Sequence, residues 1–421
     1  RQMPSEVLNL FIGQKLFKKG QIAGNMYYDN NGEVPILQGD LTMDKVAIPS
    51  QRLFVKHGEM KAGGDTIKLA VDGGYRRSKF QFRGDVENKV LFPIVAKNID
   101  LTVDNVDVEK FLSSSNNQNI DTEKEDVEND DNVRTFDIGN IIVENGLIKI
   151  LKGNYKGINF ANVQSELSLD KNSILRMTSN DFEIANGNSS AKVNCDFKNY
   201  KYDLELGVKD IDSDLIASNI LQLEKEISGK ASGIIKLNTD SSMKINGSMA
   251  FDIKDGTIQK VGMVEYVLKF AALFRNPLTM ISPSIFSDLV NVPDGSFNKI
   301  NGRLEMKDNV IERMMIKSSS PQLSAFVVGN YNLETSDASL RIYTKLSNKN
   351  KGIFGFLRNI SLNSLANRVP LSSRNDAIYY SAEISQLPEI DADEKDCQIF
   401  LTKIDGDVEH NNFISSLKKI K

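Results

Sequence analysis

Apolar and polar residues alternate one by one along most of this chain. Met249, Phe251 and Ile253 are separated by Ala250, Asp252 and Lys254, and Ile235 and Leu237 flank Lys236. Leu41 and Met43 alternate with Thr42 and Asp44 in the same way. Leu304, Met306, Leu340 and Ile342 lie in a later stretch, Gly302 to Leu346, that reads as further strands. A period of two places one set of side chains on each face of a half-buried strand. Short Gly-containing steps punctuate the alternation. Asn145-Gly146 and Asp255-Gly256 predict hairpins, and Asn30-Asn31-Gly32 and Asp72-Gly73-Gly74 predict turns. The fold class that follows is mainly β.

Helical spacing appears only in short pieces. Val7, Leu8, Phe11, Leu16 and Phe17 predict a helix over 4–19, and Val106 to Leu112 a short one. Ile211 to Leu223 predicts another, with Asp212 or Ser213 as its N-cap. Two more are expected at about 260–276 and 283–291, and a last pair within 352–368. In the first of these Val264, Phe270 and Phe274 belong to a surface that is apolar on most of its circumference. It reads as a helix capping the sheet or as a gate that touches a membrane. Phe354, Phe356 and Leu357, with Lys349, Lys351 and Arg358 around them, suit a cap helix or an anionic membrane surface. Residues 113–133 are acidic and poor in apolar side chains, the composition of a disordered loop. A calcium loop would need a Gly and a terminal Glu that the spacing lacks. The last strands are expected as a pair within Asp396 to Asp407, followed by a basic tail. The expected organisation is therefore an N-terminal helix and first β-repeat over 1–112 and an acidic loop over 113–133. A second β region follows over 134–421, with helical insertions at about 260–292 and 352–368.

Composition narrows the chemistry. The net charge of −4 over 421 residues gives no basic excess for nucleic acid. There are two His, His57 and His410, and two Cys, Cys195 and Cys397. That inventory offers no metal-ligand spacing and no nucleophile–base pair, so no catalytic residue, metal or cofactor is predicted. The Cys residues read as small buried apolar groups more readily than as a disulfide. His57, inside a strand pattern, reads as structural. No run of about 18 apolar residues spans a bilayer. The chain starts at Arg1, which reads as a fragment or processed form whose anchor precedes it.

The beginning and middle of the chain repeat. Gly20 and Gly24 match Gly229 and Gly233, and Gly39, Leu41, Met43 and Asp44 match Gly247, Met249, Phe251 and Asp252. Ser5 matches Ser213. One β unit used at least twice has the logic of a stack in which each unit covers its neighbour.

The Gly229-x-x-x-Gly233 strand start, the segment from Gly247 to Ile258, Gly302-Arg-Leu-Glu-Met306 and the C-terminal Phe400–Gly406 and Ser415–Lys419 resemble the AsmA-like family of diderm bacteria, relatives of TamB. The resemblance implies an elongated, twisted antiparallel sheet curled into an open hydrophobic groove with short capping helices. It implies a periplasmic body anchored in the inner membrane, and a non-enzymatic role in phospholipid transport to, or maintenance of, the outer membrane. Phospholipid acyl chains are then the ligand, with a membrane at one or both ends and envelope proteins as further partners. The expected groove lining is Leu41, Met43, Ile235, Leu237, Met249, Phe251, Ile253, Leu304, Met306, Leu340 and Ile342. Alternation by itself favours a packed sandwich core over a groove, an order that the resemblance reverses. With such a core the alternative function is a β-repeat scaffold assisting outer-membrane protein assembly.

Overall fold

The computed structural model describes residues 2–7, 9, 15–30, 34–89, 92–110, 140–219, 228–258, 295–320, 323–347, 378–391, 397–407 and 412–420. The protein is mainly β. Twenty strands are described, all belonging to one sheet that does not close into a barrel. The first seven are β1 (Gln2–Pro4), β2 (Lys19–Asp29), β3 (Ile36–Ile48), β4 (Leu53–Gly63), β5 (Thr66–Tyr75), β6 (Ser78–Glu87) and β7 (Ile94–Asp107). They are followed by β8 (Ile141–Tyr155), β9 (Ile158–Leu169), β10 (Ile174–Ile184), β11 (Gly187–Asp196) and β12 (Lys201–Asp212). The rest are β13 (Lys230–Thr239), β14 (Ile245–Ile258), β15 (Gly295–Lys307), β16 (Val310–Ser319), β17 (Leu323–Asn332), β18 (Asp337–Ser347), β19 (Cys397–Asp407) and β20 (Asn412–Lys419). Short helices among the described residues include α1 (Ser213–Asn219) and α2 (Ser381–Ile384).

The chain divides into two compact units. The first comprises Arg1–Ile184 and Ser189–Tyr202, the second Ala185–Asn188 and Asp203–Lys421. In the first unit β1 to β7 pair in chain order, each antiparallel to the next. β8, β9 and β10 continue the order, again antiparallel. The join between β7 and β8 is parallel, with Leu101 opposite Ile148 and Val103 opposite Ile150. In the second unit β12 to β20 pair in chain order, each antiparallel to the next. β8 to β10, which follow residues 113–133 in the chain, belong to the first unit.

The recurrence of the β unit has a structural counterpart. Ser5 and Ser213 are both buried. Ser5 Oγ donates to Lys19 O at 2.8 Å and Ser213 Oγ donates to Gly229 O at 3.0 Å, each pinning a helical turn to the start of the strand that follows. Ser213, one of the two residues expected to cap α1, gives its hydroxyl proton to Gly229 O instead. Gly24, at φ +141, shows why the repeat carries glycine. A Cβ there would lie 2.1 Å from Asp40 O, so the close approach of β2 to β3 requires its absence.

Several local expectations are corrected. Asn145-Gly146 lies inside β8 and Asp255-Gly256 inside β14, so neither closes a hairpin. Asp72-Gly73-Gly74 lies inside β5. The helix expected over 4–19 does not reach either end of that range. Pro4 ends β1, Ser5–Val7 is a 3-10 turn, and residue 9 is helical. Residues 15–18 belong to no helix, and residues 8 and 10–14 lie outside the described ones. The predicted helix at 106–112 is strand to Asp107 with one helical turn at 108–110, and residues 111–112 lie outside the described ones. The last strand pair is not confined to Asp396–Asp407. β19 takes that stretch alone, and the basic tail is its partner β20. The expected helices at 260–276, 283–291 and 352–368 and the acidic loop fall outside the described residues, as do Asn31 and Gly32 of the first predicted turn.

Candidate functional site

The first unit has two chemically opposite faces, and the strand register defines them. One cross-strand row runs Ile22–Met43–Gly58–Val71–Phe82–Leu101–Ile148 from β2 to β8, and ends in Ser165 and Ser179 on β9 and β10. Beside it on the same face lie Leu41–Met60–Leu69 and Phe80–Val103–Ile150–Val163. Ile22 is fully buried, but Met43, Val71, Phe82, Leu101 and Ile148 are only half-buried. Each of those five residues has a polar chain neighbour on the opposite face. The row there reads Asp44–His57–Asp72–Gln81–Thr102–Lys149–Gln164. Alternation at this level of regularity makes one side of the sheet wettable and the other adhesive to apolar matter.

Ion pairs tile the polar side. Arg83 Nη2 lies 2.8 Å from Asp72 Oδ1, and Lys149 Nζ lies 3.0 Å from Asp100 Oδ2. His57 bridges two carboxylates, with Nδ1 at 2.8 Å from Asp44 Oδ1 and Nε2 at 3.1 Å from Glu59 Oε1. The hydrogen bond to Asp44, then that to Glu59, raises the imidazole above its ordinary pKa. The charged imidazolium is thus favoured by folding. Its contribution to stability is complete below about pH 6.5, the unfolded value, and fades as pH rises through the folded one. In an NMR titration the His57 midpoint is expected above that of an unstructured histidine, and Asp44→Asn is expected to bring it down. A wild-type midpoint at or below the unstructured value would remove the bridge from the account.

In the second unit the matching apolar face is shut away from water. One row runs Ile235–Met249–Leu304–Met314–Gly329–Leu340–Ile404 from β13 to β19. The next runs Phe251–Gly302–Ile316–Val327–Ile342. Together with Ile253, Ile300 and Met306 they form one cluster, against which Ile235 and Leu237 pack as partly buried members. Leu304 and Met314 are 0% exposed and Phe251 8%.

The sequence-predicted lining residues therefore fall into two sets. Nine of them, Ile235, Leu237, Met249, Phe251, Ile253, Leu304, Met306, Leu340 and Ile342, share one face and one cluster in the second unit. Leu41 and Met43 belong to a cluster of the first unit, with Ile22, Val46 and Val55. Val264, Phe270, Phe274, Phe354, Phe356 and Leu357 lie outside the described residues. The sequence reading missed the rest of the first unit's apolar face, from Met60 to Val163. The signal was present as the same alternation, strand by strand, but the register that joins it into rows was not.

It also missed a strap. Residues 378–391 carry α2 across the polar-side face of β17–β19, where Tyr380, Ile384 and Leu387 pack on Phe326, Tyr343, Ile399 and Leu401. Glu383 fastens it. Its two carboxylate oxygens take Arg341 Nη2 at 2.7 Å and Nε at 3.0 Å, a bidentate fork, and Tyr343 Oη donates to the same group. Arg341 holds the Glu383 carboxyl below its ordinary range, with Tyr343 adding to the effect, while burial opposes it. Burial and then Glu383 push the Tyr343 phenol well above its own. The clamp's stability is present above the unfolded Glu value, about 4.3, and is lost as pH falls through the depressed folded one. Glu383→Ala is expected to cost about 2 kcal/mol, since it strands a half-buried guanidinium. Urea unfolding of the variant checks this, and an unchanged midpoint would make the strap incidental.

Among the described residues no group of three or more His, Cys, Asp or Glu side chains is placed to hold a metal ion. No described helix is long and apolar enough to cross a membrane. Cys397 is buried and Cys195 half-buried, both as thiols. Searches of protein-family models, of curated proteins and of solved structures find no match to this chain.

Proposed function

We propose that the protein is a non-enzymatic, AsmA-like lipid-handling protein of a diderm envelope, with a periplasmic body attached to the inner membrane. In this reading it carries phospholipid toward the outer membrane by holding acyl chains against an apolar sheet face. The observation that supports it is the half-buried row from Met43 to Ile148, which is apolar on one side of the sheet and faced by an all-polar row on the other. An acyl chain needs no specific ligand. It needs apolar area, and each methylene removed from water is worth about 0.8 kcal/mol. In this reading the first unit supplies the lipid-contacting surface, while the second, whose equivalent side chains are already buried, supplies a rigid frame.

The direct test is an organic extract of the purified protein analysed by mass spectrometry. Phospholipid in a reproducible molar ratio to protein is the expected result. Protein free of lipid, which also takes none up from vesicles, would refute the proposal and leave the β-repeat scaffold.

A further inference from the structure

On the polar side of the second unit, strands β13 to β16 floor a cavity of about 530 Å³, whose wall includes Gln386 of the 378–391 strap. Asn301 on β15 is among the residues that line it. Lys299 and Arg303 are two residues away on either side along β15, pointing to the same face. Lys317 stands directly opposite Asn301 on β16, and Asp252 directly opposite on β14. Strand spacing puts the Lys317 and Asp252 backbones about 5 Å from Asn301, and the Lys299 and Arg303 backbones about 7 Å from it, within reach of their long side chains.

The charges here do not cancel. Asp252 is engaged by Lys254 at 3.6 Å. Lys254 in turn sits directly across from Lys299, and like charges in that position repel. No ion pair among the described residues involves Lys299, Arg303 or Lys317. Lys317 is instead held in place by neutral contacts, donating to Gln386 Oε1 at 2.9 Å and lying 5.6 Å from the centre of the Phe326 ring. Elsewhere on this sheet cations are matched with acids, as Arg313 is with Glu305 and Lys230 with Asp212. A cavity that gathers three unmatched cations round a side-chain amide is arranged for an anion the chain does not supply.

We propose that this cavity binds a phosphoryl group. Its oxygens take the Lys299 and Lys317 ammonium groups, the Arg303 guanidinium fork and the Asn301 amide, while the Asp252 carboxylate, across from them, accepts a hydroxyl or ammonium carried next to the phosphate. That chemistry is shared by a phospholipid head group and by a small soluble phosphate ester. The site does not depend on the acyl-chain reading, since it lies in a different unit from the lipid-contacting face.

Calorimetry on the full chain tests it, with inorganic phosphate and glycerol 3-phosphate as probes, together with flotation on phosphatidylcholine vesicles with and without phosphatidic acid. Saturable binding of glycerol 3-phosphate is expected. Arg303→Gln and Lys299→Gln should each weaken it about tenfold or more, and Lys345→Gln, on the same face but outside the cavity, should not. Arg303 and Lys299 are exposed, so the variants should unfold at the wild-type temperature or slightly above it, as a like charge is removed. Recruitment to acidic vesicles that Arg303→Gln abolishes identifies a lipid head group. Binding of the soluble ester without such recruitment identifies a small phosphate ester. Both support the site. No saturable binding of either probe together with no Arg303-dependent recruitment to acidic vesicles, or binding that both substitutions leave unchanged, overturns it.

Discussion

Leu101→Asp is expected to leave the protein folded and to strip it of co-purifying phospholipid. Leu101 lies in the middle of the apolar row, between Phe82 on β6 and Ile148 on β8, and is half-buried. A carboxylate there can still reach water in the empty protein, so the cost to folding is small, about 1 kcal/mol. Against an acyl chain it cannot, and an uncompensated charge in such surroundings costs several kcal/mol. About 3 kcal/mol already lowers retention more than a hundredfold. Gln81→Glu, on the opposite face and exposed, adds the same charge and is expected to retain lipid at the wild-type level. Thermal unfolding and lipid mass spectrometry on both variants decide the matter. A folded Leu101→Asp protein with its full lipid complement would take this row out of the path.

Phe251→Asp is expected to act on a different quantity. The ring is packed over Gly302, where a Cβ would lie 2.4 Å from Phe251 Cε1, and its neighbours on the face are themselves buried. Removing the ring and burying a charge in its place should cost at least about 4 kcal/mol and drive the second unit toward unfolding. Lys254→Glu, three residues on and exposed, should change the stability by less than about 0.5 kcal/mol. Urea unfolding of the two variants side by side is the measurement. A Phe251→Asp protein as stable as wild type would mean that this face is not a packed core. The same residue type and the same alternation thus predict lipid loss at one place and unfolding at another, and only burial tells them apart.

That distinction marks how far the sequence could be read. Alternation carried the fold class and put nine side chains from Ile235 to Ile342 on a common face, because period two fixes facing without knowledge of partners. It also misled at Asn145-Gly146, Asp255-Gly256 and Asp72-Gly73-Gly74, where glycine was taken as a turn. Gly146 lies flat in β8 beneath Leu167, whose Cγ would be 2.7 Å from an added Cβ, and Gly73 lies in β5 beneath the Phe80 ring, at 2.8 Å. In both strands glycine leaves room for a large side chain on the neighbouring strand. Asp-Gly and Asn-Gly carry the same letters in either role, and the difference resides in the partner strand, which the local sequence does not contain. The strap escaped for a related reason. Glu383 is three residues from Tyr380 in the chain, but it becomes a clamp only through Arg341 and Tyr343, 42 and 40 residues away. The phosphoryl cavity likewise depends on a register that sets Lys317 across from Asn301.

The parallel join between β7 and β8 bears on the order in which the first unit assembles. β4 to β5, β5 to β6 and β8 to β9 are linked by two residues each, so these pairs zip with little loss of chain freedom. Between Asp107 and Ile141 lie 33 residues, 108–140. Closing a connection of that length costs about four doublings, roughly 2.5 kcal/mol more than a two-residue turn, before any contact repays it. Non-local pairings are slow for this reason. β2–β7 and β8–β10 are accordingly expected to form first, as two separate ladders, with the step that joins them setting the pace; a variant that links β7 to β8 by a shorter segment and folds no faster would refute this. The apolar row crosses that join from Leu101 to Ile148, so it becomes continuous only when the last and slowest pairing is made.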